Sequence, residues 1–261
     1  MENDLSPAAI TDGLETTFVG QHLLYYSSIP STMDAAKRAA QAGAVEGTIV
    51  IAEEQTAGRG RMERSWLSPP GGAIALSIIL RPKLSHLPQL IMVASLAAVH
   101  SIEKVSGLRP AIKWPNDILI QGKKVCGILI ESQLRGKRVD FAIMGIGLNV
   151  ALDVSAFPSI SATATSLATE LGRKVSRRRI LQCLLAEVER LYLAVQAGEP
   201  IYQEWRDRLE TLGKKVRVKW GEGIEEGQAE SVDSQGGLLL RRGDGTLARI
   251  VAGDVTPMPS P

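Results

Sequence analysis

Cysteine occurs only twice in 261 residues, as Cys126 and Cys183, both within apolar stretches and without a C-x-x-C spacing. That excludes a disulfide framework and a thiolate metal site. The three histidines, His22, His86 and His100, lie far apart, and two sit in or beside an apolar stretch of helical pattern. Structural roles are expected of them, and neither a zinc site nor a hydrolase triad is supported. Aromatic residues make up 4%, so Leu, Ile, Val and Ala must build the core. A large excess of charge of one sign is missing too: the net +2 is too near zero to imply a nucleic-acid or membrane surface. The longest apolar run, 90–99, is interrupted by Ser95 and flanked by Gln89 and His100, too short to span a bilayer. The first twenty or so residues carry no basic start followed by a long apolar core, so no secretory signal is expected and the compartment reads as cytosolic. Nor is there a G-x-x-x-x-G-K-[ST] phosphate loop or a G-x-S-x-G elbow. Gly145-Ile146-Gly147-Leu148-Asn149-Val150 supplies only two glycines of G-x-G-x-x-G.

What is present is an ordinary globular balance, 44% hydrophobic and 22% charged, at a length suited to one large and one small domain. Residues 1–20 are polar and aperiodic and read as a loose lead-in. Ser31-Thr32-Met33-Asp34 opens a helix to about Ala42, with Ser31 and Asp34 spaced as a capping box and Gly43 as the stop. Residues 48–53 read as a strand. Residues 55–72 show no hydrophobic period, and a loop of that length inside a domain points to function. Residues 73–80 are an apolar strand, and 85–106 a core helix ended by Gly107. Four β segments follow, 111–114, 118–120, 124–134 and 138–146, with Gln121-Gly122 and Arg135-Gly136 as turns. These hairpins favour an α+β fold with a mixed or antiparallel sheet over a doubly wound one. Residues 176–197 carry the stripe Ile180, Leu181, Leu184, Leu185, Val188, Leu191, Tyr192 and Val195 of a helix. Another helix is expected from Pro200 to near Leu212-Gly213. From Lys214 the pattern turns to short strands with tight turns at Gln235-Gly236-Gly237 and Gly243-Asp244-Gly245. The expected division is a lead-in at 1–20, a main domain at 21–212 and a small β domain at 213–261.

Two segments stand out chemically. In Gly58-Arg59-Gly60-Arg61, followed by Arg64 and Trp66, glycine lets backbone N–H groups approach an anion while arginine offers a planar fork of donors. The alternative is a solvated basic loop. In Lys113-Trp114-Pro115-Asn116-Asp117, a strand ends in a turn that holds Lys113 beside polar groups. The alternative there is a plain strand and turn.

Their order, with Ser31-Thr32, Gln55, Lys124-Val125-Cys126-Gly127 and Gly145-Ile146-Gly147-Leu148-Asn149, resembles biotin protein ligase from about residue 20 to the C-terminus. The likeness is to the monofunctional form without an N-terminal DNA-binding domain. It implies a fold related to class II aminoacyl-tRNA synthetases and lipoate ligases, 21–212 being the catalytic domain and 213–261 barrel-like. The implied activity is formation of biotinyl-5′-AMP from biotin and ATP with Mg²⁺, then transfer of biotin to a lysine of a biotin carboxyl carrier protein of acetyl-CoA carboxylase or a similar carboxylase. A homodimer is implied as well. The implied catalytic cations are Lys113, Arg59 and Arg61. The implied binding residues are Ser31, Thr32, Gln55, Gly58, Arg59, Gly60, Arg61, Trp66, Lys113, Asn116, Lys124, Gly127, Gly147 and Asn149. No acidic cluster identifies Mg²⁺ ligands. Met33 stands where the family has Asn, and Met62-Glu63 where it often has Arg-Gly.

For such a reaction the biotin carboxylate is already ionised, so the difficulty is two anions meeting, which fixed cations relieve. Lys113 is expected at the carboxylate and α-phosphate, with Arg59 and Arg61 closing over the adenylate as the 55–72 loop orders. Asp117 is a candidate to take the acceptor lysine's proton, or simply stabilises its turn. Two other readings remain: a lipoate ligase, and a DNA-binding regulator. About twenty residues precede the ligase-like region, too few for a winged helix. The basic run 173–179 reads as a solvated helix start.

Overall fold

The computed structural model describes residues 5–258. Its larger sheet has the order β1 (Leu23–Tyr26), β2 (Ile49–Ala52), β3 (Ala73–Leu80), β7 (Arg138–Asn149), β6 (Lys123–Arg135), β5 (Asp117–Ile120) and β4 (Ala111–Lys113). Only β1 and β2 run parallel, joined through α2 (Thr32–Gln41); every other pairing is antiparallel, giving the expected α+β architecture with a mixed sheet.

All eight residues of β3 are buried because both faces of the sheet are covered. On one face Ile74, Leu76 and Ile78 pack in a core with α3 (Leu90–Ser106) and α5 (Arg177–Ala197). On the other, Ile79 joins Val50, Phe141 and Ile143 against Met33, Ala35, Ala36 and Ala40 of α2. The alanine-rich face of α2 lets it lie close to the strands. The stretch Leu84–Ser106 is long and apolar enough by composition to cross a membrane, unlike its shorter uninterrupted run, yet most of it is buried in this core.

Three expectations change. Helix 85–106 begins as an α-helix only at Leu90, because Pro88 leaves a 3₁₀ turn before it. The helix after Pro200 shrinks to α6 (Tyr202–Asp207). Residues 5–20 are no loose lead-in, and residues 1–4 lie outside the described part. Ser6 caps α1 (Pro7–Thr11), and Leu5, Ile10 and Val19 are fully buried against the α5 side of the core.

Glu189 of α5 fixes that segment. Its carboxylate accepts from Thr17 N (2.7 Å), Phe18 N (2.9 Å), Val19 N (2.9 Å) and the Thr17 hydroxyl (2.9 Å). Burial pushes its pKa up, but these bonds outweigh burial and hold it below the usual carboxylate range. Its stabilisation is therefore present above the unfolded value of about 4.3 and is lost as pH falls through the lower folded value. Glu189→Ala is expected to cost about 2–3 kcal/mol at neutral pH, and less below pH ~4, in denaturant melts. An equal cost at both pH values would contradict this assignment.

The smaller sheet, with order β11 (Leu247–Ile250), β10 (Leu238–Arg241), β9 (Gly223–Val232), β8 (Lys215–Trp220) and β12 (Asp254–Pro257), is antiparallel throughout. Val216 and Val218 of β8 point inward and Lys215, Arg217 and Lys219 outward, as a two-residue period requires. Trp114 ties this sheet to the larger one, donating its indole N–H to Gly236 O (2.8 Å).

Candidate active site

The site forms where α2, the loop 55–72 and the β4–β5 turn meet over β6 and β7. Ser31 occupies the N-cap position of α2, but its side chain makes no cap bond, and its buried hydroxyl has no partner among the described residues. Gln55 instead accepts from Thr32 N (2.8 Å) and Thr32 Oγ1 (3.0 Å), while Asp34 pairs with Arg59 (2.6 Å). The capping box expected from Ser31 and Asp34 does not form: the Asp34 carboxylate is taken by Arg59, and the Ser31 hydroxyl makes no cap bond.

The loop folds back on itself as a narrow hairpin. Gln55 N donates to Ser68 O (3.1 Å), Trp66 N to Gly58 O (2.8 Å) and Gly60 N to Arg64 O (2.7 Å). A Cβ at Gly58 would lie 2.5 Å from Trp66 O, so this glycine serves the close approach of two chain segments. The anion-facing backbone expected of the glycines is not there at Gly60, whose N–H is engaged within the loop. Met62 takes a left-handed conformation at the tip (φ 52°) and is half exposed.

Beneath the hairpin, Gly127 of β6 and Gly147 of β7 are cross-strand partners. A Cβ would come within 2.9 Å of the Trp66 ring at Gly127 and 2.4 Å at Gly147. Together they make a flat floor on which the indole rests. Gly145 does the same for α2, since a Cβ there would lie 2.5 Å from Met33 Sδ. Lys124 sets its Nζ over the indole ring, 5.4 Å from the ring centroid, and 2.7 Å from Asp117 Oδ1.

The β4–β5 turn, which contains a cis Trp114–Pro115 bond, is bound to β6 through Asn116: Nδ2 donates to Ile128 O (2.9 Å), and Ile128 N to Asn116 O (3.0 Å). Asn116 Oδ1 then accepts from Arg61 (2.9 Å), which also donates to Gly253 O (3.2 Å) beyond β11. Burial lowers the Arg61 pKa, opposed by Asp254 and Asp117, and the group stays cationic at neutral pH.

Two adjoining cavities result. The inner one is walled by Thr32, Met33, Gln55, Arg59, Leu129, Ile146 and the three glycines Gly127, Gly145 and Gly147. The outer, of about 480 Å³, is walled by Lys113, Asp117, Leu119, Asn149, Leu152, Ile160 and Asp254. Gly60, Arg61, Trp66, Asn116 and Lys124 line both. The cation expected at the meeting point, Lys113, faces only the outer cavity; Lys124 stands at the junction. Arg59 lines only the inner cavity and is tied to Asp34 and, at 3.5 Å, Glu131. Ser31 and Gly58 line neither. Asn149 donates to Thr165 O (3.0 Å) and leaves its buried Oδ1 without a partner among the described residues. Met33, Gly145 and Asp254 were not among the expected site residues. Asp254 lies far along the chain from every motif, while the unmatched Met33 was itself the available signal.

Sequence comparison agrees with this geometry. The Biotin/lipoate A/B protein ligase family matches residues 25–149 and the Biotin protein ligase C terminal domain residues 211–256. The Bifunctional ligase/repressor BirA of Bacillus subtilis is 40% identical over 256 residues, covering 96% of this chain and 78% of that protein. The chain belongs to the biotin protein ligase family. The Biotin–[acetyl-CoA-carboxylase] ligase of Mycobacterium tuberculosis is 36% identical over 231 residues, covering 85% of this chain and 83% of that ligase. Among solved structures, the biotin protein ligase from Aquifex aeolicus in complex with biotin and ATP superposes with a TM-score of 0.79 at 28% identity. The match covers 92% of this chain and all of that ligase. The match to that ligase thus spans both sheets; the inner cavity is lined entirely from residues 25–149, and the outer one adds Leu152 and Ile160 beyond that segment and Asp254 of the C-terminal sheet.

Proposed function

We propose that the inner cavity takes biotin, the outer takes ATP, and their reacting ends meet at the wall shared by Lys124, Arg61 and Asn116. The enzyme is an ATP-dependent ligase: it makes biotinyl-5′-AMP and transfers biotin to a lysine of a carboxylase carrier protein. The observation that supports this arrangement is that one cationic wall is common to two cavities of different character. The inner one sets Thr32 and Gln55 among apolar Leu129, Ile146 and Trp66, a combination suited to a ureido ring fused to a hydrocarbon-like ring. The outer one sets Leu119, Leu152 and Ile160 opposite Lys113, suited to a base and its phosphates.

In the first step a biotin carboxylate oxygen attacks the α-phosphorus and pyrophosphate leaves. Lys124 and Arg61 hold the two anions together and stabilise charge on the phosphoryl oxygens. Lys113 contacts the phosphate chain from the outer side. Among the described residues, Asp117 and Asp254 are the carboxylates lining this cavity, and no group of three potential metal-ligating side chains occurs. That composition fits Mg²⁺ held mainly by triphosphate oxygens, with these two side chains assisting; bound there, it would neutralise charge on the leaving pyrophosphate. In the second step a neutral lysine amine attacks the carbonyl and AMP leaves. Only about one lysine amine in a thousand is neutral at pH 7.4 for a pKa near 10.4, and Asp117, a carboxylate of the outer cavity, is assigned to take the proton.

The acceptor is a biotin carboxyl carrier domain, and the setting is cytosolic, in keeping with two free thiols. A DNA-binding role is disfavoured because Arg177 of the basic run is buried against Glu53 (2.7 Å), contrary to a solvated helix start, and Arg178 is bonded to Asp12 (2.7 Å). Incubation with biotin, Mg-ATP and a carrier domain, followed by mass spectrometry, should place biotin on one carrier lysine. Preference for lipoate over biotin in adenylation would overturn the substrate assignment. Gly147→Ala, whose added Cβ collides with the Trp66 ring, is expected to weaken biotin binding by about 10-fold or more in calorimetry. Unchanged affinity would remove Trp66 and its floor from the biotin site.

A further inference from the structure

The hairpin loop has three arginines, and two of them end on the small C-terminal sheet. Arg61 donates to Gly253 O (3.2 Å), and Arg64 pairs with Asp254, 190 positions away in sequence. These acceptors are held rigidly. Asp254 is in register with Lys219 across β12 and β8, and Gly253 is packed so tightly that a Cβ would lie 2.7 Å from Val218 Cγ1 and 3.0 Å from Lys219 O. The same sheet holds the β4–β5 turn through the Trp114 bond to Gly236 O. One sheet therefore touches two of the three segments that build the shared wall of the cavities, the hairpin and the β4–β5 turn.

We infer that the C-terminal sheet is a latch on the hairpin, with Asp254 a positioning residue that keeps Arg61 aimed into the site through Arg64 and Gly253. The inference rests on the functional reading above. The Arg64–Asp254 pair is itself half open to solvent, Arg64 being 66% exposed, so its value to overall stability is small. Its consequence is geometric. Without it the hairpin keeps its own backbone bonds but loses one of two ties to the C-terminal sheet, and the remaining Arg61–Gly253 bond must hold the register alone. The effect falls on the interval in which the adenylate must stay enclosed, since the latch closes the outer cavity where Asp254 is part of the wall. Biotin binding in the inner cavity, which neither Arg64 nor Asp254 lines, is left alone.

The test is release of preformed biotinyl-adenylate made with labelled biotin, from wild type, Asp254→Ala, Asp254→Asn, Arg64→Ala, the D254A/R64A double variant and the charge-swapped D254R/R64D. Each alanine variant should release adenylate about 5–10-fold faster, with the double variant no faster than the singles, as expected for two partners of one interaction. The swap should restore retention to within about 2-fold, which a merely structural role would not do. Melting temperature and biotin affinity should stay at wild-type values, and Asp254→Asn should fall between. Multiplying effects in the double variant would overturn the latch. So would release rates equal to wild type. A wild-type protein that forms no adenylate would instead remove the functional reading on which the latch depends.

Discussion

Replacing Lys124 with alanine is expected to slow adenylate formation by about 10²–10³-fold, equivalent to about 2.7–4 kcal/mol of transition-state stabilisation. The reason is position. Among the described residues Lys124 is the one lysine that lines both cavities, and it reaches the shared wall from β6, a strand clamped on both sides by β5 and β7. A charge on a rigid element needs no reorganisation as the two anions approach. Pyrophosphate release under saturating biotin and ATP reads the step directly. Lys113→Ala should act differently, because Lys113 faces only the outer cavity: its effect should fall mainly on the KM for ATP. Lys124→Ala also strands Asp117, its 2.7 Å partner, so the double variant K124A/D117A is the control. If a stranded carboxylate caused the defect, the double variant would recover activity; if Lys124 stabilises the transition state, it would not. A larger loss of turnover in Lys113→Ala than in Lys124→Ala would reverse these roles.

The exchange of roles proposed for the two lysines shows where sequence reading reaches its limit. Both lysines, both arginines and the glycine pair lie in short local motifs, and the strands that carry them were legible from their periodicity. β3 is apolar at almost every position because it is covered on both faces, and α5 shows one clean stripe. Which cation meets which anion is set by register between β5 and β6 and by the path of the hairpin, neither of which leaves a local trace. The glycines were legible as special, but for another reason than anion binding: Gly58 lets the loop close on itself, and Gly127 and Gly147 admit an indole. The capping box failed because Arg59 competed for Asp34 from 25 residues away. The packed segment 5–20 was hidden because its few apolar residues are spread among polar ones, and because Glu189, which satisfies its backbone, lies 170 or more residues distant. Asp254 was missed for the same reason of distance.

Arg61→Ala is expected to leave adenylate formation measurable but to release the product about 10–100-fold faster, the range set by losing a half-buried, charge-assisted hydrogen-bonding group. Alanine is preferred to glycine at this position because Gly60 precedes it, and a second glycine would add backbone freedom to the lost side chain. Arg61 links three bodies: the hairpin that bears it, the β4–β5 turn through Asn116 and the C-terminal sheet through Gly253 O. Its loss frees the loop from both partners at once, whereas loss of Asp254 removes only a supporting tie, so the Arg61 variant should be the leakier of the two. Arg59→Ala is the contrasting case. Its side chain is 42% exposed and paired with Asp34 and Glu131 at the inner cavity, so it should affect biotin affinity more than adenylate release. Rapid filtration of labelled adenylate, followed through several half-lives, separates the two. If Arg61→Ala retains adenylate as long as wild type, the guanidinium neither closes the loop nor holds the phosphoryl group, and Lys124 alone must account for the charge stabilisation at the junction.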